Sequence, residues 1–204
     1  MEGGNRYVLN PVWGDAPNMP TGKTVTNPSQ ASGDTISFAE LPDGVIVIRV
    51  IGRGSFANSV EFKRLTDLFV QRLSNACRFV LDLDQCVTMD STFMGVLASV
   101  GLRQRRDTRE TMTLVNVNEQ NERLLQTLGL AHFLNVRTMG QDAHPATKAA
   151  TEFHMAETPN VSKTDRIVHM IEAHENLVES DSTNAVRFES VLKYLNESLK
   201  KEQE

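Results

Sequence analysis

The sequence has little cysteine and no long apolar run. It contains two cysteines among 204 residues, and Cys77 and Cys86 flank a predicted strand whose extended length would keep them too far apart for a disulfide. No stretch of about 18 apolar residues is present to span a membrane. Residues 1–5 have neither the basic start nor the apolar core of a secretory signal. We therefore expect reduced, structural cysteines in a cytoplasmic protein without a membrane segment.

A basic surplus and the usual catalytic motifs are also missing. The formal net charge of −5 argues against nucleic acid or an anionic membrane as the main partner. The histidines lack metal-ligand spacing, since His169 and His174 would lie on different faces of a helix. No nucleophile elbow or Cys–His arrangement stands out. We predict no metal, no cofactor and no enzymatic activity.

A glycine pattern leaves one enzymatic alternative open. Residues 52–57 read Gly-Arg-Gly-Ser-Phe-Ala between a predicted strand and a predicted helix, and so match a dinucleotide-binding pattern. However, the strand before them is one arm of a hairpin, and no acidic residue ends the next strand about 20 residues further on, where such sites bind the ribose. A pair of loop glycines is the simpler interpretation.

What the sequence does contain is an alternation of strands and helices. Two β-rich runs joined by the turn signal at 42–44 predict a hairpin. Helices and buried strands alternate after it, with Asn58 and Asn118 as N-caps and Glu61 as the third residue of a capping box. Such a chain can bury its apolar faces only as a mixed sheet covered by helices, so we predict one compact α/β domain. The predicted strands are 35–41, 44–51, 79–83 and 112–117, the predicted helices are 59–73, 92–106 and 118–128, and residues 130–136 close the unit.

Two segments are predicted to be irregular. Residues 1–34 hold most of the prolines among polar residues, which predicts a flexible or extended arm. Its tryptophan, Trp13, is left open between an incidental position and a docking contact. Residues 139–162 are predicted to be a linker, with Gly140, Pro145 and Pro159 as breakers.

Residues 163–204 predict a helical hairpin. Two apolar stripes at helical spacing are separated by a turn and cap cluster at 181–184. Two isolated amphipathic helices are marginal in water, so the stripes must be buried against each other, the α/β domain or a second chain. A homodimer is therefore one open alternative. The first stripe consists of Ile167, Met170, Ile171, His174, Leu177 and Val178, and the second of Ala185, Phe188, Val191, Leu192, Leu195 and Leu199.

The stretch 89–97 carries the most informative motif. It reads Met-Asp-Ser-Thr-Phe-Met-Gly-Val-Leu and lies between a predicted buried strand and a predicted helix. The Ser91 hydroxyl would therefore lie at a helix N-terminus, where backbone N–H groups and the macrodipole stabilise negative charge. Ser, Thr and Asp are also the preferred N-caps. On the pattern alone, Ser91 is either a plain cap or a reacting hydroxyl.

Several segments, taken in order, resemble a known family. Residues 36–138 resemble a STAS domain, the fold shared by anti-sigma factor antagonists and the cytoplasmic tails of sulphate transporters. Phe93 stands where the family usually has glycine. The resemblance implies a mixed sheet covered by helices over residues 35–138. The matching segments are 49–52, which looks like the end of the second strand, 79–83, like the central strand, 89–97, like the Asp-Ser-Ser/Thr-Gly-Leu-Gly phosphorylation loop, and 124–130, like the segment before the last strand.

The resemblance also implies a function. In antagonists of this family the residue after the Asp is phosphorylated by an anti-sigma factor that is also a serine kinase, and the matching residue here is Ser91. Asp90 and Thr92 would support the phosphosite, with Thr92 as an alternative acceptor, and Phe93 and Met94 would contact the partner. The chain is thus expected to be an anti-sigma factor antagonist that regulates transcription by partner switching. Unphosphorylated, it would bind the kinase and free a sigma factor, and a serine phosphatase would restore that state.

A second hypothesis belongs to a different class. The chain would then be a constitutive STAS scaffold or a transporter-associated subunit that phosphorylation does not regulate. Its terminal segments would assemble it into a larger complex. Phosphorylation of the purified protein by a kinase distinguishes the two hypotheses.

Overall fold

The computed structural model describes residues 24–25, 33–73 and 77–203. Within these residues, eight strands form one mixed sheet in the order β1-β8-β2-β3-β4-β6-β7, with β5 paired to the end of β3. The strands are β1 (Thr24–Val25), β2 (Thr35–Glu40), β3 (Val45–Gly54), β4 (Arg78–Asp82), β5 (Cys86–Met89), β6 (Thr113–Val117), β7 (Asn135–Thr138) and β8 (Phe153–Met155).

Parallel pairing of the central strands creates the edge on which the site is built. β2 and β3 form the predicted antiparallel hairpin, whereas β3, β4, β6 and β7 run parallel to one another. β5 is parallel to the last residues of β3. The carboxyl ends of β3 and β5 therefore lie side by side, and a helix starts after each of them.

The described ranges contain six α-helices besides the sheet, and the larger core cluster lies mainly under the first two. A large cluster of buried apolar side chains fills the space between these helices and one sheet face, and it includes the stacked rings of Phe62 and Phe93. A smaller cluster with Val47, Val80 and Phe153 covers the opposite face. Strands buried on both faces read as continuous apolar runs rather than as alternation. The helices are α1 (Phe56–Arg72), α2 (Ser91–Thr108), α3 (Glu119–Thr127), α4 (Pro145–Ala149), α5 (Lys163–Ser180) and α6 (Asn184–Gln203).

The start of α1 differs from the sequence prediction. The N-cap is Ser55 and not Asn58, which instead occupies the third helical position of a capping box. The Asn58 Oδ1 atom accepts the Ser55 N–H at 2.8 Å, and Glu61 is buried away from this cap. Both capping positions need a side-chain oxygen that accepts a backbone N–H, and asparagine has one, so it suits either position. The two glycines of the 52–57 pattern lie inside β3, so they are not the pair of loop glycines that was expected, and the alternative of a phosphate-cradling loop at this position is wrong as well.

The segment 139–162 is not the irregular linker that was predicted. It contains α4 and β8, and β8 pairs with β2 in the sheet. Pro145 begins α4, a position where proline lacks only an N–H that would be unpaired anyway. Pro145 was predicted to break regular structure, but it starts a helix. β8 was missed because a strand of three residues is too short to show periodicity. In the predicted arm, β1 pairs with β8, and Trp13 lies outside the described residues.

The C-terminal helical hairpin is present as α5 and α6. α5 packs along α2, and α6 packs along α5. Leu177 on α5 and Phe188 on α6 both belong to the main core cluster. Of the alternatives left open by the stripes, the structure shows burial against each other and against the α/β domain. No helix in the described ranges is both long enough and apolar enough to cross a membrane.

Candidate functional site

The Asp90 carboxylate joins the N-termini of α1 and α2. Its Oδ1 atom accepts the N–H of Phe93 at 2.9 Å, which makes Asp90 the N-cap of α2. Its Oδ2 atom accepts the N–H of Phe56, the first residue of α1, at 2.8 Å. The Asp90 backbone N–H donates to the Gly54 carbonyl at 2.8 Å. One side chain thus satisfies donors of two helices and fixes the position of the next residue, Ser91.

Ser91 is the first residue of α2 and is not its cap. The side chain is partly buried, while that of Thr92 is 5% exposed. The pattern alone left Ser91 open as a cap or a reacting hydroxyl, and Asp90 takes the first role. The Ser91 hydroxyl is therefore free of capping and forms a hydrogen bond elsewhere.

His174 of α5 is the hydrogen-bond partner of Ser91. The Ser91 Oγ atom lies 3.0 Å from His174 Nε2, and His174 Nδ1 lies 2.7 Å from the carbonyl oxygen of Met170. A carbonyl can only accept, so Nδ1 carries the proton, and in the neutral ring Nε2 accepts the Ser91 hydroxyl. The ring is 4% exposed and contacts Phe188 edge-on at 5.0 Å between centroids. The hydroxyl proton of Ser91 thus points into the C-terminal hairpin.

A second Ser–His pair holds α5 against α1. The Ser59 hydroxyl donates to the Phe56 carbonyl at 2.9 Å. His169 Nε2 lies 2.8 Å from the same Ser59 oxygen and must therefore donate to it, so His169 carries its proton on Nε2. Burial, reinforced by the nearby Lys63, lowers the pKa of His169. The two histidines place α5 in the groove between α1 and α2.

Gly95 lets α5 approach α2 closely. A Cβ atom at position 95 would overlap the carbonyl oxygen of Ala173. Glycine in the middle of a helix costs up to about 1 kcal/mol relative to alanine. In this helix the cost is offset by backbone-to-backbone packing one turn after Ser91.

Phe93 and Met94 do not form the surface that was expected to contact a partner. Phe93 is fully buried and stacks on Phe62 with ring centroids 5.1 Å apart. Met94 is 2% exposed and belongs to the core cluster. The large residue at the family's usual glycine position fills the core instead of enlarging a surface, because α2 turns that side chain toward α1.

Glu61 on α1 is a buried carboxyl that contacts the connection between β8 and the hairpin. Burial raises its pKa to about 7, although hydrogen bonds from Thr158 and from the backbone of Ile36 oppose the shift. The Thr158 hydroxyl donates to Glu61 Oε2 at 3.0 Å. Glu61 therefore ties α1 to β2 and to the segment between β8 and α5.

Sequence reasoning brought Asp90 and Ser91 together but missed the two histidines. It tested His169 and His174 for metal spacing only, and no cluster of three or more metal-ligating side chains occurs in the part of the chain that the structure describes. A signal was present, because His174 interrupts an apolar stripe that must be buried. A buried histidine needs a hydrogen-bond partner, and a hydroxyl at the start of a neighbouring helix can supply one.

The mixed sheet and the Asp90–Ser91 pair at the start of α2 define the class as an α/β domain of the STAS type. A family model, STAS domain, matches residues 39–143, half of the chain. The chain belongs to the STAS domain family. The comparison with curated proteins gave no match.

Solved structures similar to the chain include the following three. One is a Thermotoga maritima protein assigned as an anti-sigma factor antagonist, with 20% identity, 55% of this chain and 92% of that chain covered, and a TM-score of 0.45. The anti-sigma factor antagonist SpoIIAA in its unphosphorylated form has 13% identity, 55% and 92% coverage and a TM-score of 0.43. A Shewanella loihica protein of the DUF3478 family with a SpoIIAA-like fold has 9% identity, 59% and 93% coverage and a TM-score of 0.39.

Proposed function

We propose that the chain is an anti-sigma factor antagonist whose binding to an anti-sigma serine kinase is switched by phosphorylation of Ser91. The observation that carries the proposal is the division of roles between Asp90 and Ser91. Asp90 caps α2 with its carboxylate, which leaves the neighbouring Ser91 hydroxyl free of a capping role. The chain acts as a substrate and binding partner, not as an enzyme, and works in the cytoplasm.

The position of Ser91 gives phosphorylation a physical effect. A phosphate adds a charge of about −1.5 to −2 at neutral pH, and at Ser91 it would stand beside the Asp90 carboxylate. Any partner that covers the start of α2 would have to desolvate both charges, and each 1.4 kcal/mol of penalty weakens binding about tenfold. Phosphorylation therefore releases the kinase, and a serine phosphatase restores binding.

Thr92 is the alternative phosphate acceptor and is less suited to the role. Thr92 is 5% exposed, so its hydroxyl is closed to a kinase in this structure. Ser91 precedes it on the more accessible side of the helix start. This difference in burial favours Ser91.

The test uses the purified full-length chain, ATP and each anti-sigma kinase encoded in the same genome. Mass spectrometry is expected to locate one phosphate on Ser91 in the wild-type protein and in Thr92→Ala, and none in Ser91→Ala. Titration calorimetry is expected to show kinase binding by Ser91→Ala and by the unphosphorylated protein, but not by the phosphoprotein. Phosphate on Thr92 contradicts the Ser91 assignment. Kinase binding that phosphate leaves unchanged, or no phosphate at all, favours the constitutive scaffold.

A further inference from the structure

α5 occupies the surface of α2 on which Ser91 lies. His174 engages the Ser91 hydroxyl at 3.0 Å, and Ala173 rests against Gly95 one turn further along. We propose that the C-terminal hairpin is an intramolecular competitor for the Ser91 surface, so that hairpin docking excludes both a partner and a phosphate at Ser91. The identity of the modification rests on the proposed function, whereas the competition can be measured without any kinase.

The hydrogen bond at Ser91 is incompatible with a phosphate ester. Esterified Oγ has no proton to donate to His174 Nε2, which lies 3.0 Å away, and the phosphate adds its bulk and charge beside the His174 ring. That ring is held from behind, because Nδ1 is 2.7 Å from the Met170 carbonyl and its other side meets Phe188. The ring therefore cannot swing away unless α5 moves. Phosphorylation at Ser91 requires release of the hairpin.

The Gly95 contact makes the docking strictly dependent on side-chain size. A Cβ atom there would meet only the backbone of Ala173 among its nearest neighbours, and backbone in the middle of a helix cannot move aside. Gly95→Ala therefore blocks docking while it leaves the Ser91 side chain and the Asp90 cap unchanged. Alanine also favours the helical state of α2, so helix propensity cannot account for any opening that it causes.

Thermodynamic linkage gives the competition a measurable form. If a ligand needs the open hairpin, its apparent affinity equals its intrinsic affinity multiplied by the fraction of molecules that are open. The coupling is reciprocal: the docked hairpin weakens ligand binding by the same free energy by which the bound ligand weakens hairpin docking. Two independent measurements follow, one of access to position 91 and one of hairpin protection.

Access is measured by thiol labelling of full-length Ser91→Cys with 5,5′-dithiobis(2-nitrobenzoate). The wild-type protein supplies the background from Cys77 and Cys86, each 2% exposed, and Ser182→Cys in the exposed turn between α5 and α6 supplies the reference for an open site. The Ser91→Cys protein is expected to label at least about tenfold more slowly than the reference. Adding Gly95→Ala to it is expected to remove most of that difference. Arg105→Ala, at an exposed position of α2, is the matched control and should leave the rate unchanged.

Equal labelling of Ser91→Cys and the reference, or slow labelling that persists in a folded Gly95→Ala background, overturns the proposal. Circular dichroism and cooperative urea unfolding establish whether the Gly95→Ala protein is folded. If it is not, His174→Ala takes its place, because it removes the ring over Ser91 without adding volume. The same acceleration of labelling is expected, and its absence overturns the proposal equally.

Protection is measured by hydrogen exchange on the full-length chain with phosphoserine incorporated genetically at position 91. Amides of α5 and α6 are expected to exchange at least about tenfold faster than in the unphosphorylated protein. Unchanged or slower exchange overturns the proposal, since the hairpin would then stay docked over a phosphorylated Ser91. Slow labelling of Ser91→Cys that Gly95→Ala accelerates, found together with no phosphorylation by any kinase, would refute the proposed function alone. Equal phosphorylation rates for wild type and Gly95→Ala would refute the competition alone.

Discussion

The side-chain amide of Asn184 connects the turn of the C-terminal hairpin to the α/β domain through Leu128. Asn184 Nδ2 donates to the Leu128 carbonyl at 3.1 Å and to the Leu177 carbonyl at 2.9 Å, and Asn184 is fully buried. Asn184→Ala would leave two buried carbonyls without this donor. We expect it to lower the free energy of unfolding by about 2 kcal/mol, as measured by urea unfolding.

Asn196 on α6 is the control for Asn184. It donates to the Leu192 carbonyl but is exposed, so water can replace its hydrogen bond. We expect Asn196→Ala to change stability by no more than about 0.5 kcal/mol. Equal effects of the two substitutions would mean that the turn of the hairpin does not depend on the Leu128 contact.

The double cap at Asp90 predicts an unusually large effect for one capping residue. Asp90→Ala removes the acceptor of both the Phe93 and Phe56 amides, and a single cap is worth about 1 kcal/mol. We expect a loss of about 2–3 kcal/mol, and a smaller loss for Asp90→Asn, which keeps one oxygen acceptor. Thermal and urea unfolding measure both. Asp84→Asn, at an exposed position, should be near neutral, and a loss at Asp90 of under about 1 kcal/mol would show that α1 does not depend on this carboxylate.

Two adjacent residues of α6 test how the hairpin is buried. Leu195 is 6% exposed, whereas Tyr194 is 69% exposed. Leu195→Asp should cost about 3 kcal/mol by placing a charge in an apolar contact with α5, and Tyr194→Asp should stay within about 0.5 kcal/mol. Melting temperature and sedimentation are measured together. Unchanged melting of Leu195→Asp with lost self-association would instead assign this stripe to an interface between chains.

Glu61 predicts that stability depends on pH near neutrality. Its folded pKa of about 7 lies above the ordinary value of 4.5, so the folded chain binds more protons between these values. Stability therefore falls as pH rises through this window and stays low above it. Glu61→Gln keeps an acceptor for Thr158 but carries no charge. We expect it to be more stable than wild type by about 1–2 kcal/mol at pH 8.

The control for Glu61 is the same comparison made at low pH. The gain of Glu61→Gln over wild type should shrink toward zero near pH 4.5, where Glu61 is protonated in the folded chain. The lowered pKa of His169 makes stability fall as the pH decreases below the ordinary pKa of histidine. Both proteins share this contribution, so it cancels when one urea series is subtracted from the other. A difference that is constant from pH 5 to 8 would contradict the burial of an uncharged Glu61.

The sequence predicted the fold where the segments were long and periodic. The hairpin of β2 and β3, the helices α1, α2 and α3 and the C-terminal helices lie within a few residues of their predicted ranges. Short elements were missed because three or four residues do not establish a period. β5 has four residues with Val87 exposed, and β8 has three. β5 is defined by its pairing with β3, and β8 by its pairing with β1 and β2, and pairing partners cannot be read from local sequence.

The candidate site was predictable in chemistry but not in its surroundings. The motif placed Asp90 and Ser91 at a helix start, as observed. The burial of Phe93 and the contact between Ser91 and His174 could not be predicted. Each depends on which face of α2 meets α1 and α5, and a contact between residues 83 positions apart is set by tertiary packing.

The short connection between β8 and α5 determines how tightly another protein must bind α2 to displace α5. Residues 156–162 leave the sheet at β8 and enter α5 at Lys163, and Thr158 is anchored on Glu61 along the way. A tethered helix of this kind is present near its docking surface at an effective concentration on the order of millimolar. A free partner at cellular concentration therefore succeeds only if it binds α2 far more tightly than α5 does. A longer tether would lower the affinity that a partner needs to displace α5, without altering a single contact. The length of this segment therefore helps to determine the partner concentration at which the hairpin is displaced.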